Sequence, residues 1–402
     1  MRVTPRFWLC LPLLLALALL PAPLPAQGHF IDIRKTAGQE NPGLHLAEFS
    51  GSPATKARLE ATLRRCGWFT ILPSPRGASY ILTAVESGPA LELTVTAAGG
   101  ATFSLRQPAR SRQPEWTLYQ AVDQLIERLF KVPGPCASTI AFVNGKGGYK
   151  EIVTCHFDGS GIQQLTFSRS IATEPSWGPR GSLVYTLYQN NYTDVVLVDT
   201  LSRQQRRLSA FPGLNSSADL APDGRFVALT LSRDRKVELY GMDVRTRGLR
   251  RLTHDAAVES SPCWSPDGAR ICYVSDLPRS PKLYVIPAGG GRAQRLCSLG
   301  GEQVSPDWSA VANKICFATG SGGNYDLAVI AMDTPGQMAE VLTRGGVYEA
   351  PSWAPDGRHV ACTKRAAGGR RQLVMFDTWL KRETPITAPG DLSLPSWSPA
   401  HD

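Results

Sequence analysis

The six histidines, His29, His45, His156, His254, His359 and His401, are scattered along the chain. None has the His-Glu-x-x-His spacing that sets two imidazoles on one helix face around a metal ion. No Gly-x-Ser-x-Gly run occurs, so the strained elbow that presents a serine nucleophile is missing. Gly145-Lys146-Gly147-Gly148 carries a lysine among glycines but lacks the upstream glycine and the Ser/Thr of a phosphate loop. Between two apolar runs it reads as a hairpin tip. No catalytic residue, metal site or cofactor is expected. What the chain does repeat is a set of short polar and acidic groups: Thr173 and Glu174; Ser216 and Ser217; Glu259 and Ser260; Glu302 and Gln303; Tyr348 and Glu349; and Asp391. Each group precedes a tryptophan-bearing segment or its equivalent, and they are expected as loops around one opening. Four glutamates converging there, in a protein of net charge +9, make a candidate site for a cation or a basic partner. The plainer reading is a solvated acidic rim.

The elements that must carry these groups follow from a repeat. Pro175-Ser176-Trp177-Gly178-Pro179-Arg180-Gly181 returns as Ala218-Asp219-Leu220-Ala221-Pro222-Asp223-Gly224 and as Pro262-Cys263-Trp264-Ser265-Pro266-Asp267-Gly268. Further copies are Pro306-Asp307-Trp308-Ser309, Pro351-Ser352-Trp353-Ala354-Pro355-Asp356-Gly357 and Pro395-Ser396-Trp397-Ser398-Pro399. With Leu220 in place of Trp, the anchors are 43, 44, 44, 45 and 44 residues apart. In Ser-Pro-Asp-Gly, Pro presets φ, Asp bonds back to nearby backbone and Gly takes positive φ, which makes a tight turn. An apolar run follows each turn, then a third and a short fourth strand. Four strands in roughly 44 residues is the signature of a propeller blade. Strands also occur before the first anchor, at Ile140–Val143, Ile152–Cys155 and Gln164–Thr166, and almost nothing follows Trp397. The Trp397 strand is therefore expected to complete the blade begun at Ile140. That closes six blades and leaves no free sheet edge.

The rest of the chain divides accordingly. Arg2, Arg6, the apolar Phe7–Leu20 run and the small residues up to Ala26 read as a secretory signal peptide over residues 1–26, cleaved after about Ala26. The run is short of the roughly 20 residues that span a bilayer, and no membrane span is expected in the mature chain. Residues 27–132 are expected to form a small α/β domain with two helices, Ala54–Arg65 and Trp116–Lys131, and a mobile leading segment to about residue 43. A hinge is expected at 133–138 and the propeller over 139–402. The fold class is thus mainly β, with a smaller α/β domain. Positive charge is spread rather than blocked, so nucleic acid is not an expected partner. Eight cysteines follow the leader. Cys272 and Cys316 stand eight residues after their anchors, where other copies carry Tyr185, Ala228 and Ala361, and separate buried thiols are expected, although Cys263 and Cys272 face each other across a turn and could pair.

The chain resembles the TolB family, the periplasmic propeller proteins of the Tol–Pal system. The resemblance rests on the leader, Ile31-Asp32-Ile33, Leu63-Arg64-Arg65-Cys66-Gly67-Trp68-Phe69 and Lys131-Val132-Pro133-Gly134. It continues through Thr139-Ile140-Ala141-Phe142-Val143, the Trp-Ser-Pro-Asp-Gly repeats and the terminal Pro395-Ser396-Trp397-Ser398-Pro399. It implies a non-enzymatic periplasmic docking platform that supports protein transport and outer-membrane integrity during cell division. A Pal-like peptidoglycan-associated lipoprotein would bind the propeller mouth, and a TolA-like protein the N-terminal segment. The partner-binding candidates are Thr173, Glu174, Ser217, Glu259, Ser260, Gln303, Tyr348, Glu349 and Asp391. The alternatives are a propeller enzyme, of metal-dependent lactonase or quinoprotein type, and a ligand-binding sensor.

Overall fold

The structure, a computed structural model, describes residues 40–109, 114–189, 191–233, 236–277, 279–333 and 338–400. The expected leader and residues 27–39 of the leading segment lie outside them.

The N-terminal domain runs Gly43–Ser50 (β1), Pro53–Arg65 (α1), Thr70–Ile71 (β2), Tyr80–Ser87 (β3), Ala90–Ala97 (β4), Thr102–Gln107 (β5) and Pro114–Phe130 (α2). Its sheet order is β2-β1-β3-β4-β5, with β1 parallel to both neighbours and the other pairs antiparallel. Ser52 caps α1, its Oγ accepting from the Thr55 amide at 3.1 Å, which satisfies one of the free N–H groups of the first turn. Leu118, Val122, Leu125 and Ile126 of α2 are all buried, as their helical spacing requires. The strand β1 was not anticipated. Its sequence is half polar and only Leu44 is fully buried, so its identity comes from pairing with the distant β3.

The propeller has six blades. Five are runs of four consecutive strands whose innermost strands are Ile171–Trp177 (blade 2), Asn215–Leu220 (blade 3), Glu259–Trp264 (blade 4), Glu302–Trp308 (blade 5) and Tyr348–Trp353 (blade 6); blades 3 to 6 are separate sheets, and blade 2 is joined to blade 1 where Ile171 pairs with Lys150. Blade 1 is Thr139–Lys146, Tyr149–His156 and Gln163–Gln164, completed by Leu392–Trp397 from the end of the chain. Trp397 pairs with Ile140 and Leu392 with Asn144, so the expected closure is the one observed. In blade 4 the turn works as its sequence indicates: Asp267 Oδ1 accepts from the Ser265 hydroxyl at 2.5 Å and the Ala269 amide at 3.0 Å, and Gly268 sits at φ +66°.

The two domains share one core. Leu59, Leu63, Val122 and Leu125 belong to the same buried cluster as Ile140, Phe157, Leu373, Met375 and Trp397. The segment 133–138, expected as a hinge, is pinned instead. Asp123 of α2 accepts from the amides of Cys136 at 2.9 Å and Ala137 at 2.6 Å. Ser138 is fully buried and accepts from the Trp397 indole at 2.6 Å. Pro and Gly here shape a tight passage against α2, which a purely local reading took for flexibility. Burial pushes the Asp123 carboxyl up to about 7, despite those two amide donors.

The junction also holds a polar clasp. Arg358, 1% exposed, donates from Nη2 to Asp377 Oδ2 at 2.6 Å and to Asn41 Oδ1 at 2.8 Å. Its guanidinium lies 5.0 and 4.6 Å from the ring centres of Trp68 and Trp379, which themselves meet edge to face at 5.4 Å. Asp356, the turn aspartate of blade 6, accepts from the Trp68 indole at 3.0 Å and contacts His359 Nδ1 at 2.6 Å. The repeat's own turn chemistry thus becomes domain-interface chemistry where the N-terminal domain covers blade 6.

Candidate functional site: the propeller channel

Each innermost strand breaks its register once, and a residue three positions before the anchor takes a left-handed conformation. The six are Glu174 (φ 52°), Ser217 (49°), Ser261 (48°), Ser305 (51°), Ala350 (47°) and Leu394 (53°). Such a bulge re-aims the side chain out of the strand's alternation. All six line one central cavity of about 230 Å³. None is glycine, so each blade accepts a local backbone cost that its neighbours enforce.

Below the bulges lies a second ring, the residues immediately before each anchor: Ser176, Asp219, Cys263, Asp307, Ser352 and Ser396. Four of them accept the anchor amide of the next blade. Asp219 takes Trp264 at 2.9 Å, Asp307 takes Trp353 at 2.6 Å, Ser352 takes Trp397 at 3.0 Å and Ser396 takes Trp177 at 3.1 Å. Ser176 donates to Asp219 at 2.5 Å. Burial pushes Asp219 up to about 6 and Asp307 up to about 7, the latter also repelled by Asp219. This ring stitches blade to blade, and it went unnoticed at the sequence level. Its signal was present in Ala218-Asp219-Leu220 and Pro306-Asp307-Trp308, where an acidic residue directly precedes the anchor.

The expected loop residues are placed differently from one another, and they lie mostly in strands rather than loops. Glu174 faces the channel, accepting from Thr186 Oγ1 at 2.8 Å and the Ser217 amide at 2.9 Å. Ser217 lines the same cavity, while Thr173 and Ser260 are half-buried on inner strands. Glu259 and Gln303, five residues before their anchors, are fully buried, and Tyr348 at the same position is 8% exposed. Gln303 accepts from the Leu283 amide at 3.2 Å and donates to the Leu299 carbonyl at 2.7 Å; the Tyr348 hydroxyl donates to Glu383 at 2.7 Å. Glu302 and Glu349 are half-buried, Glu349 pairing with Arg365 at 2.9 Å, and Asp391 is exposed beside Arg371. Four glutamates therefore do not converge on the mouth. The groups occupy different registers of bulged strands, and a shift of one or two residues moves a side chain from channel to blade interior.

Glu259 carries a consequence. Burial, with Asp255 adding repulsion, pushes its carboxyl up to about 8 from an ordinary 4.5, and Oε2 has no hydrogen-bond partner. A carboxyl raised in the folded state is best tolerated protonated, so stability is lost as pH rises from about 4.5 through about 8. Glu259→Gln is expected to stabilise the protein at pH 8 by on the order of 3 kcal/mol and to change little near pH 4.5. Urea midpoints at the two pH values measure this; equal effects at both would refute the burial argument.

Among the described residues, no group of three or more His, Cys, Asp or Glu is placed to hold a metal ion. The family model for the TolB beta propeller domain matches residues 126–401. The chain belongs to the TolB β-propeller family. A Tol-Pal system protein TolB from Desulfosudis oleivorans is 33% identical over 118 residues, covering 29% of this chain and 27% of that relative. A TolB homolog from Chlorobium chlorochromatii is 29% identical over 277 residues, 60% of this chain and 61% of its own length. The matched part thus spans about a quarter to three-fifths of these curated relatives. The crystal structure of TolB from Acinetobacter baumannii has the same fold, with a TM-score of 0.81 at 23% identity, covering 90% of this chain and 97% of that one. In this TolB-family chain the N-terminal domain packs on the turn side of blades 6 and 1, through Asp356, Arg358, Trp379 and Asp158. The opposite side, where the innermost strands begin, carries Glu174, Glu349 and Asp391.

Proposed function

We propose that this chain is the exported, non-enzymatic TolB component of a Tol–Pal system, acting in the periplasm after cleavage near Ala26. It docks a Pal-like peptidoglycan-associated lipoprotein on the propeller face opposite the N-terminal domain. The reading is carried by the match of residues 126–401 to the TolB propeller family, together with the Tol-Pal names of relatives. The candidate contact residues are the channel-lining Glu174 and Ser217, the neighbouring Thr173, Ser260 and Glu349, and the exposed Asp391. Glu259, Gln303 and Tyr348 act from beneath, by shaping the strands that present these groups. A TolA-like protein would engage the leading segment 27–43, of which residues 27–39 lie outside the described part. Linking these partners would serve outer-membrane integrity during cell division.

Calorimetric titration of the mature chain with the soluble domain of the same organism's Pal-type lipoprotein tests the reading. Binding is expected, weakened about tenfold or more by Glu174→Lys or Glu349→Lys, which reverse charge on the docking face. No heat of binding to the lipoprotein domain would overturn the docking role. Unchanged affinity in both variants would move the contact away from the mouth.

A further inference from the structure

The N-terminal domain fills a groove between blades 6 and 1, and the repeat builds that groove a second time. At blade 6 the Trp68 indole donates to Asp356 Oδ2 at 3.0 Å, while Asp356 Oδ1 accepts from the Arg358 amide at 2.9 Å. Trp68 packs in one buried cluster with Met375, Ile386 and Trp397. Half a turn around the ring, an open groove of about 450 Å³ lies between blades 3 and 4. It is on the same side of the propeller, since Asp223 and Asp267 of the tight turns line it.

Strand pairing matches the two grooves position by position. Phe226 pairs with Asp243 as His359 does with Asp377. Gly241 and Leu252 therefore stand where blade 6 has Met375 and Ile386, and Trp264 stands where blade 1 has Trp397. Arg225 Nε donates to Asp243 at 3.4 Å, as Arg358 Nε does to Asp377 at 3.2 Å. Asp223 takes the place of Asp356: its Oδ1 accepts from the Arg225 amide at 2.8 Å, and its Oδ2 has no bond among the described residues. At blade 6 that second oxygen takes the indole. Two differences set what the open copy accepts. Glycine at 241 deepens the floor, where an added Cβ would meet nothing closer than Leu252 at 3.7 Å. Asp267 adds a carboxylate to the rim at the place where blade 1 has Ala400. Between blades 4 and 5, by contrast, Arg270 from the position of Phe226 already covers the Trp308 ring at 4.9 Å.

We propose that the groove between blades 3 and 4 binds a tryptophan-bearing basic segment of a partner protein, in the way blade 6 binds the Trp68 segment. The incoming ring lies over Gly241 and Leu252, its indole N–H bonds to Asp223, and a flanking lysine or arginine faces Asp267. The Trp68 segment is itself of this class, with Arg64 and Arg65 ahead of Gly67. Asp223, Asp243 and Asp267 outnumber Arg225 and Arg250 at the rim, so the open site carries net negative charge that a basic residue complements.

The probe is a labelled peptide of residues 61–70 carrying Cys66→Ser, titrated against the mature chain and followed by fluorescence anisotropy. The chain's own segment fills the groove at blades 6 and 1, so the peptide reports the open copy. Saturable one-to-one binding is expected. It is lost with Trp68→Ala in the peptide, weakened about tenfold by Asp223→Asn in the chain and abolished by Gly241→Phe. Asp223→Asn keeps an acceptor for the turn amide, so its effect is read on a folded chain even if Gly241→Phe disturbs the strand. Absence of binding, or binding that neither chain variant weakens, overturns the proposal. A dimer of the chain alone that Gly241→Phe dissolves overturns it too, since a second copy would then fill the groove.

Discussion

Truncation before Leu392 is expected to abolish cooperative unfolding of the propeller. The lost strand, Leu392–Trp397, supplies the innermost strand of blade 1 and pairs with Thr139–Lys146. Trp397 is 4% exposed and belongs to the core shared with the N-terminal domain. Burying one such side chain is worth about 3 kcal/mol. Its indole bond to Ser138, its amide bond to Ser352 and the Ser396 bond to Trp177 go with it. With Leu392 and the strand ladder added, the loss is on the order of 5–10 kcal/mol, comparable to the whole stability of a typical domain. It also exposes the 139–146 edge, which invites association between chains. Calorimetry and light scattering on the truncated mature chain check this; a single sharp transition at the full-length midpoint would contradict the closure argument.

Arg358→Ala is expected to cost about 3–5 kcal/mol, the range for removing one partner of a buried ion pair. The change removes the guanidinium paired with Asp377 and leaves a void beside the Trp68 and Trp379 rings, so part of the loss is packing rather than charge. The same clasp sets a pH dependence. Burial opposes the charge on His359, but Asp356 outweighs it and raises the imidazole to about 9. Burial also opposes the Asp377 charge, yet His359 and Arg358 hold that carboxyl well below the usual range. A histidine raised in the folded state contributes fully below about 6.5 and loses that contribution as pH rises through about 9. A carboxylate depressed in the folded state contributes above about 4 and loses it on acidification. The clasp is therefore strongest between about pH 4 and 6.5, and His359→Gln should flatten the alkaline limb of the thermal-midpoint profile. Denaturant unfolding of the Arg358→Ala chain at pH 6, read at Trp68 and Trp379 fluorescence, measures the first effect. A loss under about 1 kcal/mol would mean that water reaches the clasp.

Sequence alone determined the blade count and the closure. The anchors recur at near-constant spacing, turn chemistry is local, and a set of strands at Ile140–Val143, Ile152–Cys155 and Gln164–Thr166 precedes the first anchor and lacks one of its own. Strand alternation and helical spacing are likewise local signals, so most elements of the N-terminal domain were legible, β1 excepted. What only the tertiary structure decided is which way the polar residues of the inner strands point. Each strand carries one bulge, and a bulge is set by the neighbouring blades rather than by its own residue, since Glu, Ser, Ala and Leu all occupy it. Glu174 and Glu259 were grouped around one opening in the sequence reading, yet Glu174, three residues before its anchor, lines the channel and Glu259, five before its own, is fully buried. The same holds for Asp356 and Asp267: both belong to the Pro-Asp-Gly turn, but only Asp356 lies under the N-terminal domain and joins its clasp. Local chemistry specified the parts. Register and domain contact, which depend on residues far away in the chain, assigned their roles.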